Sequence, residues 1–307
     1  MKLDLEINLG DQSFKNPLFV ASGTYGYGIE ANDLSDSSKL GAIITKSITR
    51  FPREGNPPPR IVETPSGMIN SIGLANMGVE KYIDSVLPQK DKIGTEIITN
   101  VAGFSISDYL FVIEKLESIE APICGYEINI SCPNVEAGKM EFAVDDQLTG
   151  KLTENLRAAT DKLLIIKLSP NVTDIKTIAT AASQGGADAV SAINTVFGMS
   201  INVHTKKPNI NTDIGGLSGP AIKPIGIANV YKIFKSIDIP IIGIGGITSA
   251  KDVIEYMLAG ASAVQIGTAN YRDIGIAQKI LNDLKIHCRT NRIEKISKIT
   301  GKVETNY

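Results

Sequence analysis

Cysteines, metal-binding motifs and long apolar stretches are scarce in this 307-residue chain, and each scarcity excludes a class of protein. The three cysteines, Cys124, Cys132 and Cys288, form an odd, sparse set that argues against a disulfide framework and fits a reducing cytoplasm. No C-x-x-C pair occurs, so we expect no zinc or iron–sulfur site within the chain. The longest apolar runs are about strand length, far short of the roughly 20 residues that span a bilayer.

Charge and the N-terminal sequence exclude further classes. The net charge is −2 with both signs interspersed, which favours neither nucleic acid nor an anionic membrane as a partner. The opening MKLDLEINLG is charged and lacks the apolar core of a signal peptide. His204 and His287 are the only histidines, and H-E-x-x-H, G-x-S-x-G and P-loop motifs are absent. Proton and hydride chemistry with a bound cofactor remains.

Short apolar runs alternate with helix-like stretches along the whole chain. Most of the runs are rich in Ile, Val and Leu without strict alternation, as in strands buried on both faces. Eight such strands with intervening helices predict one α/β domain over 1–307, a TIM (β/α)8 barrel. The predicted strands are 18–21, 42–46, 96–100, 126–130, 163–168, 189–194, 241–245 and 263–267.

Helices are predicted at 108–117, 174–182 and 249–258, the first of them behind Asp108 as a cap. Residues 3–14 alternate and turn at Gly10-Asp11, so we expect a hairpin across the barrel bottom. Residues 50–80 and 197–218 are predicted as long loops. Both follow strands and should lie on the C-terminal face, where barrel active sites are found. The second of them could be a lid or a partner surface.

Polar residues end many of the predicted strands and should converge on one mouth of the barrel. Two of them, Lys46 and Lys167, would make the mouth electropositive and suited to an anionic ligand or a reduced flavin ring. The last two strands lead into the glycine-rich strings GIGGITS (243–249) and IGTAN (266–270), which predict phosphate binding in this fold. The strand-end positions are Ser22, Lys46, Ser47, Asn100, Asn129, Lys167, Asn194 and Thr195.

Cys132 lies in ISCPN, just past the fourth strand, in a polar loop with Pro133, Asn134 and Gly138. A thiol whose pKa is lowered modestly from about 8.5 can serve as a base near neutral pH. Cys124 and Cys288 have no comparable context and are interpreted as structural. The sequence therefore singles out Cys132 as a candidate base.

At this point the residues resemble a known family. NISCPN (129–134), the 56–78 string, KLSPNVTDI (167–175), INTVFGM (193–199), GGLSGPAIKP (215–224) and IGIGGI (242–247) are similar to the class 1 dihydroorotate dehydrogenases. The similarity runs from about residue 3 to residue 285. It implies oxidation of (S)-dihydroorotate to orotate in de novo pyrimidine (UMP) biosynthesis, with FMN bound to the single barrel domain.

The resemblance also implies which residues meet the two ligands. For FMN these are Ser22, Lys46, Ser47, Asn100, Asn129, Lys167, Ile193, Gly219, Gly245, Gly246, Gly267 and Thr268. For the substrate they are Lys46, Asn70, Ser71, Ile72, Gly73, Leu74, Asn129, Asn194 and Thr195. Cys132 would remove the C5 proton while hydride leaves C6 for N5 of FMN, and its loop would close over the substrate.

Within the family, a cysteine base and the lack of an N-terminal extension differ from the membrane-associated, quinone-linked type. The 56–78 and 215–224 strings resemble the NAD-linked type more than the fumarate-linked homodimer. That type implies a homodimer joined by an electron-transfer subunit into a heterotetramer, with FAD and a 2Fe-2S cluster on the partner. Three alternatives stay open: a dihydropyrimidine dehydrogenase-like flavin barrel, a tRNA dihydrouridine synthase-like enzyme, which the charge disfavours, and a non-catalytic phosphate-binding barrel.

Overall fold

The computed structural model describes residues 3–31, 34–131, 133–134 and 140–305. In chain order, the strands are β1 (Ile7–Leu9), β2 (Gln12–Phe14), β3 (Leu18–Val20), β4 (Ala42–Ile44), β5 (Ile61–Thr64), β6 (Gly67–Asn70), β7 (Glu96–Ala102), β8 (Gly125–Asn129), β9 (Pro133–Asn134), β10 (Met140–Glu141), β11 (Leu163–Leu168), β12 (Ala189–Ala192), β13 (Val196–Gly198), β14 (Ile201–Asn202), β15 (Lys207–Pro208), β16 (Gly215–Ser218), β17 (Ile241–Ile244) and β18 (Ala263–Ile266).

The helices follow the same chain order. They are α1 (Gly78–Ser85), α2 (Lys90–Ile93), α3 (Ile106–Ser118), α4 (Asp146–Ala159), α5 (Ile175–Gln184), α6 (Lys223–Phe234), α7 (Ala250–Ala259) and α8 (Ile276–Thr290). Short 3₁₀ turns lie at Ser37–Lys39, Leu87–Gln89, Phe142–Val144, Pro220–Ile222, Thr268–Tyr271 and Ile296–Ile299. Throughout the described residues, no helix is long and apolar enough to cross a membrane.

Eight parallel strands close into a barrel in the order β3-β4-β7-β8-β11-β12-β17-β18. All eight predicted barrel strands are confirmed, with ends that shift by a few residues. Strand β4 ends at Ile44, before the predicted Lys46, because the Lys46 N–H donates to Gly26 O (2.8 Å) and the chain leaves the barrel there. The barrel is built by these runs because both of their faces are buried, one against the interior and one against the helices.

Local capping explains where the predicted helices begin. Asp174 caps α5, and Ser249 caps α7 in a reciprocal capping box with Asp252. The predicted Asp108 cap of α3 is wrong: Ser105 is the N-cap, and its side chain accepts from the Asp108 N–H. Asp108 lies in the first turn, where its carboxylate accepts the Phe104 N–H (3.1 Å).

The first barrel connection departs from the repeating pattern. Between β3 and β4, the described residues carry the 3₁₀ turn Ser37–Lys39 where the other connections carry α-helices. The predicted N-terminal hairpin is confirmed as β1 and β2, paired antiparallel from Ile7↔Phe14 to Leu9↔Gln12. Its turn residue Gly10 lies against Asp188, just before β12 begins, so the hairpin closes the bottom of the barrel.

The two long segments predicted as loops are more ordered than predicted. Strands β5 and β6 form a hairpin, β16 pairs with β6, and β13 pairs with β16, giving a four-stranded antiparallel sheet. The register joins Asn70 to Gly216, residues 146 positions apart in the chain. Part of the 197–218 segment therefore continues the 61–70 hairpin into a sheet above the barrel mouth.

Candidate active site

A cavity of about 640 Å³ lies at the C-terminal ends of the barrel strands, within the usual range for small-molecule and cofactor sites. The second sheet forms one wall, and the turns after β17 and β18 form another that meets the end of β16. Among the residues predicted for the site, those that line the cavity are Ser22, Lys46, Ser47, Asn70, Ile72, Leu74, Asn129, Lys167, Ile193, Asn194, Thr195, Gly219, Gly245, Gly246, Gly267 and Thr268.

The other predicted residues lie elsewhere. Asn100 is fully buried in the barrel wall behind the cavity. Ser71 and Gly73 pack against Asn56, whose side-chain amide donates to Ser71 Oγ (2.7 Å). Cys132, the predicted base, lies outside the described residues.

The two predicted lysines have different environments. Lys167 is 5% exposed, and its ammonium donates to Glu127 Oε1 (3.2 Å) and Ser22 Oγ (3.0 Å). Lys46 is half-buried and has no salt bridge among the residues that the structure describes. Burial lowers the pKa of Lys46; the Glu30 carboxylate opposes this shift, and the Arg60 charge adds to it. Lys46 therefore carries a partly desolvated charge into the cavity without an ionic partner of its own in that set.

Amide and hydroxyl groups from β8 and the turn after β12 form a connected polar cluster. The Asn194 amide nitrogen donates to Ser131 Oγ (2.9 Å) and Asn129 Oδ1 (3.3 Å), while Asn194 Oδ1 accepts the Thr195 N–H (2.8 Å). The Tyr109 hydroxyl donates to the Asn129 carbonyl (2.7 Å) and ties this strand end to α3. These bonds fix amide orientations, as recognition of a planar polar ring requires.

Glycines shape the wall that the turns after β17 and β18 form. Gly246 has φ +67°, and a Cβ there would lie 2.8 Å from Lys223 Cβ and 2.9 Å from Gly219 O. Only glycine fits this turn without strain. The Thr248 and Ser249 N–H groups that follow the turn both donate to Asp252 Oδ2 (2.9 Å each), so the backbone at the start of α7 is already used in its capping box. Nearby, the hydroxyls of Thr268 and Ser218 are 2.8 Å apart and link the β18 turn to the second sheet.

Sequence reasoning missed a polar layer inside the barrel, just behind the mouth. Glu127 is fully buried and accepts hydrogen bonds from Asn100, Lys167, Ser191 and Gln265. Ser191 and Gln265 are fully buried as well. The sequence did contain a signal for this layer, since three apolar strands each carry one polar residue in their interior (YEIN, AVSA and AVQI). Such a residue is rarely buried without a hydrogen-bond partner, so these three indicate a buried polar network.

The outer rim was missed for a different reason. Glu63 and Met68 from the second sheet, with Tyr271, Arg272 and Asp273 after β18, also line the cavity. Their sequence context is that of ordinary surface loops. Only the folding of the 61–70 hairpin over the mouth brings Glu63 and Met68 to the site.

A closed parallel barrel with lysines, ordered amides and glycine turns around a cavity at its C-terminal mouth is the arrangement of a (β/α)8-barrel enzyme site. The chain belongs to the dihydroorotate dehydrogenase family, whose model matches residues 4–287. It is 45% identical over 301 residues to a protein of Bacteroides thetaiotaomicron, with 98% of this chain and 99% of that protein covered.

Two further relatives are similar to the chain over nearly its full length. A Bacteroides fragilis protein is 46% identical over 301 residues, covering 98% of this chain and 99% of the relative. A Thermoanaerobacter protein is 44% identical over 304 residues, covering 99% of this chain and all of the relative. All three relatives are named dihydroorotate dehydrogenase B (NAD(+)), catalytic subunit.

Proposed function

We propose that this protein is the FMN-binding catalytic subunit of an NAD-linked dihydroorotate dehydrogenase and oxidises (S)-dihydroorotate to orotate in pyrimidine biosynthesis. The observation that carries the proposal is the single cavity that unites Lys46, Lys167 and the Asn70, Asn129 and Asn194 amides with the glycine turns. The near full-length similarity to relatives of that name supports the same function.

The residues present fit FMN. Asn100 Oδ1 is buried without a hydrogen-bond partner among the described residues, and the pyrimidine edge of a flavin offers a ring N–H donor. The turn at Gly246 would bind the phosphate through backbone N–H groups. Lys46 and Lys167 supply the positive charge that an anionic reduced ring requires. When bound, FMN would supply the acceptor for the hydride that leaves C6 of the substrate.

The chain's own residues have distinct roles in this proposal. The Asn70, Asn129 and Asn194 amides and the Thr195 hydroxyl hold the amide-bearing ring of the substrate, and the Lys46 ammonium balances its negative charge. Cys132 takes the C5 proton. The second sheet shields one side of the cavity from water, which strengthens the electrostatic interactions within it.

The decisive experiment is an anaerobic absorption spectrum of the purified, FMN-loaded chain before and after dihydroorotate is added. Bleaching of the flavin band is expected. Dihydrouracil, which lacks the carboxylate, is the matched control. If dihydrouracil bleached the flavin and dihydroorotate did not, the site would be assigned to another pyrimidine. A chain that folds but binds no FMN would contradict the proposal.

The Cys132 assignment has a separate test. Cys132→Ala should bind FMN and orotate normally but reduce the flavin about 10²- to 10⁴-fold more slowly, the usual contribution of a general base. Cys124→Ala is the control. Cys124 lies directly before β8, and its thiol donates a hydrogen bond to Ile97 O (3.3 Å). Burial raises the pKa of this thiol. Equal flavin reduction rates in the two variants would remove Cys132 from the mechanism.

The physiological acceptor forms the last part of the proposal. The resemblance to the NAD-linked type implies a partner chain bearing FAD and a 2Fe-2S cluster that carries electrons onward from a catalytic homodimer. The relatives' name, a catalytic subunit that uses NAD(+), fits such a partner. NAD+ reduction should appear only when the partner is added to the FMN-loaded chain. Fumarate reduction by the chain alone would assign it to the fumarate-linked type.

A further inference from the structure

Glu127 is a buried acid at the centre of the barrel wall, directly behind the mouth. It lies on β8 with a fully buried side chain. A buried carboxylate is costly unless every oxygen is paired, and removing its partners leaves an uncompensated charge. The interior of a barrel of this kind is ordinarily packed with branched apolar side chains. The position of Glu127 therefore calls for a physical reason.

Both carboxylate oxygens are saturated by donors from four other strands. Oε1 accepts from the Asn100 amide nitrogen (2.7 Å) and the Lys167 ammonium (3.2 Å). Oε2 accepts from Ser191 Oγ (2.9 Å) and the Gln265 amide nitrogen (2.5 Å). One carboxylate thus links β7, β8, β11, β12 and β18, and it contacts two of the residues predicted to bind FMN.

The first consequence concerns amide orientation. A carboxylate can only accept, so it holds the amide nitrogens of Asn100 and Gln265 toward itself and turns both amide oxygens away. Asn100 Oδ1 and Gln265 Oε1 are both buried without hydrogen-bond partners among the described residues. Glu127 thereby fixes Asn100 Oδ1 as an acceptor beside the Lys167 donor. That pairing matches a ring edge that presents an N–H next to a carbonyl.

The second consequence is electrostatic. The Lys167–Glu127 pair is almost fully buried, with side-chain exposures of 6% and 0%. The carboxylate offsets the lysine charge where solvent screening is weak. Because the Lys167 ammonium also donates to Ser22 Oγ (3.0 Å) and lines the cavity, the charge experienced by a bound ring is that of the pair.

We propose that Glu127 is a positioning residue that orients the Asn100 amide and offsets the charge of Lys167, and thereby sets how strongly the site favours the reduced over the oxidised flavin. The proposal rests on FMN being the cofactor. Glu127 acts through residues that meet the cofactor, so it is not itself a catalytic residue.

The test is the reduction potential of the bound flavin in Glu127→Gln, titrated anaerobically against a redox dye of known potential. Gln is nearly isosteric, but it removes the charge that offsets Lys167. Reduced FMN should therefore bind about tenfold more tightly relative to oxidised FMN, a rise of about 30 mV for a two-electron couple.

Ser191→Ala is the matched control. It removes one hydrogen bond from the same carboxylate but changes no charge, so it should lower stability and leave the potential unchanged. If Glu127 had only a structural role, both variants would have a lower free energy of unfolding, and neither would change the reduction potential of the flavin. An unchanged potential in Glu127→Gln, or an equal rise in Ser191→Ala, would overturn the proposal.

A second measurement on the apoprotein does not depend on FMN binding. The unfolding free energies of Glu127→Gln, Lys167→Met and the double variant form a double-mutant cycle. The double variant should be more stable than the sum of the single losses predicts, because each single change leaves one buried charge without its partner. Additive losses would refute the pairing even if Glu127→Gln alone proved too unstable for redox work. A wild-type chain that binds no FMN would refute the proposed function instead.

Discussion

The two ends of the barrel are made from the same eight strands, yet they use polar groups in opposite ways. At the bottom, the hairpin covers the strand ends with buried Leu9 and Phe14. The Asp188 carboxylate there accepts from both the Arg157 guanidinium and the Leu164 N–H (2.8 Å each). At the mouth and just behind it, Lys46 and Asn100 Oδ1 lack such partners among the described residues.

The difference teaches which polar groups serve stability and which serve a ligand. Buried polar groups are normally satisfied within the protein. A group that is desolvated and incompletely paired lowers stability, and such groups collect at functional sites. We therefore expect substitutions at the bottom of the barrel to change mainly the free energy of unfolding, and substitutions at the mouth to change mainly the affinity for ligands. Three predictions test that separation, from the largest expected effect to the smallest.

Phe14→Ala should cause the largest loss of stability. The Phe14 ring is 1% exposed and packs 4.9 Å from the Phe19 ring, so truncation leaves a cavity under the barrel. The unfolding free energy should fall by about 3–5 kcal/mol, as measured by urea denaturation. FMN affinity, measured at low temperature where the variant stays folded, should not change. A lower affinity would show that the two ends are coupled.

Gly246→Ala should instead weaken FMN binding. With φ +67° and a Cβ within 3 Å of Lys223 Cβ and Gly219 O, alanine must shift the turn. We expect the free energy of FMN binding, followed by flavin fluorescence, to weaken by about 1–3 kcal/mol, the cost of returning the shifted turn to its strained geometry when the cofactor binds.

Gly275→Ala is the control for this substitution. Gly275 has φ −88°, and its Cβ would meet nothing closer than 3.4 Å. FMN affinity should therefore match that of the wild type. If Gly246→Ala also bound FMN normally, the turn after β17 would not be the phosphate site.

Lys46→Met should have the smallest effect, and the size of that effect depends on pH. The folded-state pKa of Lys46 is lowered from 10.5, mainly by burial, so the unfolded chain binds the proton more tightly. This destabilisation is fully present below the folded-state pKa and is relieved as pH rises toward 10.5. The apo variant should therefore be more stable than the wild type at pH 7. That advantage should shrink through the alkaline range.

Chemical denaturation of the apoprotein at a series of pH values measures this difference. Lys279→Met is the control, since Lys279 is exposed and paired with Asp273. A constant difference between Lys46→Met and the wild type across the pH series would rule out a desolvated charge at position 46. Orotate binding should weaken in Lys46→Met at every pH where the wild-type lysine is charged.

The barrel was predictable because its signal is local. Each buried strand is a short apolar run, and α3, α5 and α7 carry their own apolar stripes and side-chain caps, so the eight strands and the hairpin turn at Gly10 could be located from the sequence. The α3 cap was missed because Ser105 and Asp108 both fit a cap, and only the backbone geometry distinguishes them. The pairing of β6 with β16 was out of reach, because strand partners far apart in the chain leave no local pattern.

The site divides along the same line. The sequence by itself determined a barrel with Lys46, Lys167, the amides and the glycine turns at one mouth, because parallel strands bring their carboxyl ends together. Only the tertiary structure decided that Asn100 lies behind the cavity and that the second sheet forms a wall of the cavity. It also decided that Glu127 on β8 accepts hydrogen bonds from residues on four other strands. Those facts depend on the barrel's closure and register, which bring side chains from distant strands within hydrogen-bonding distance.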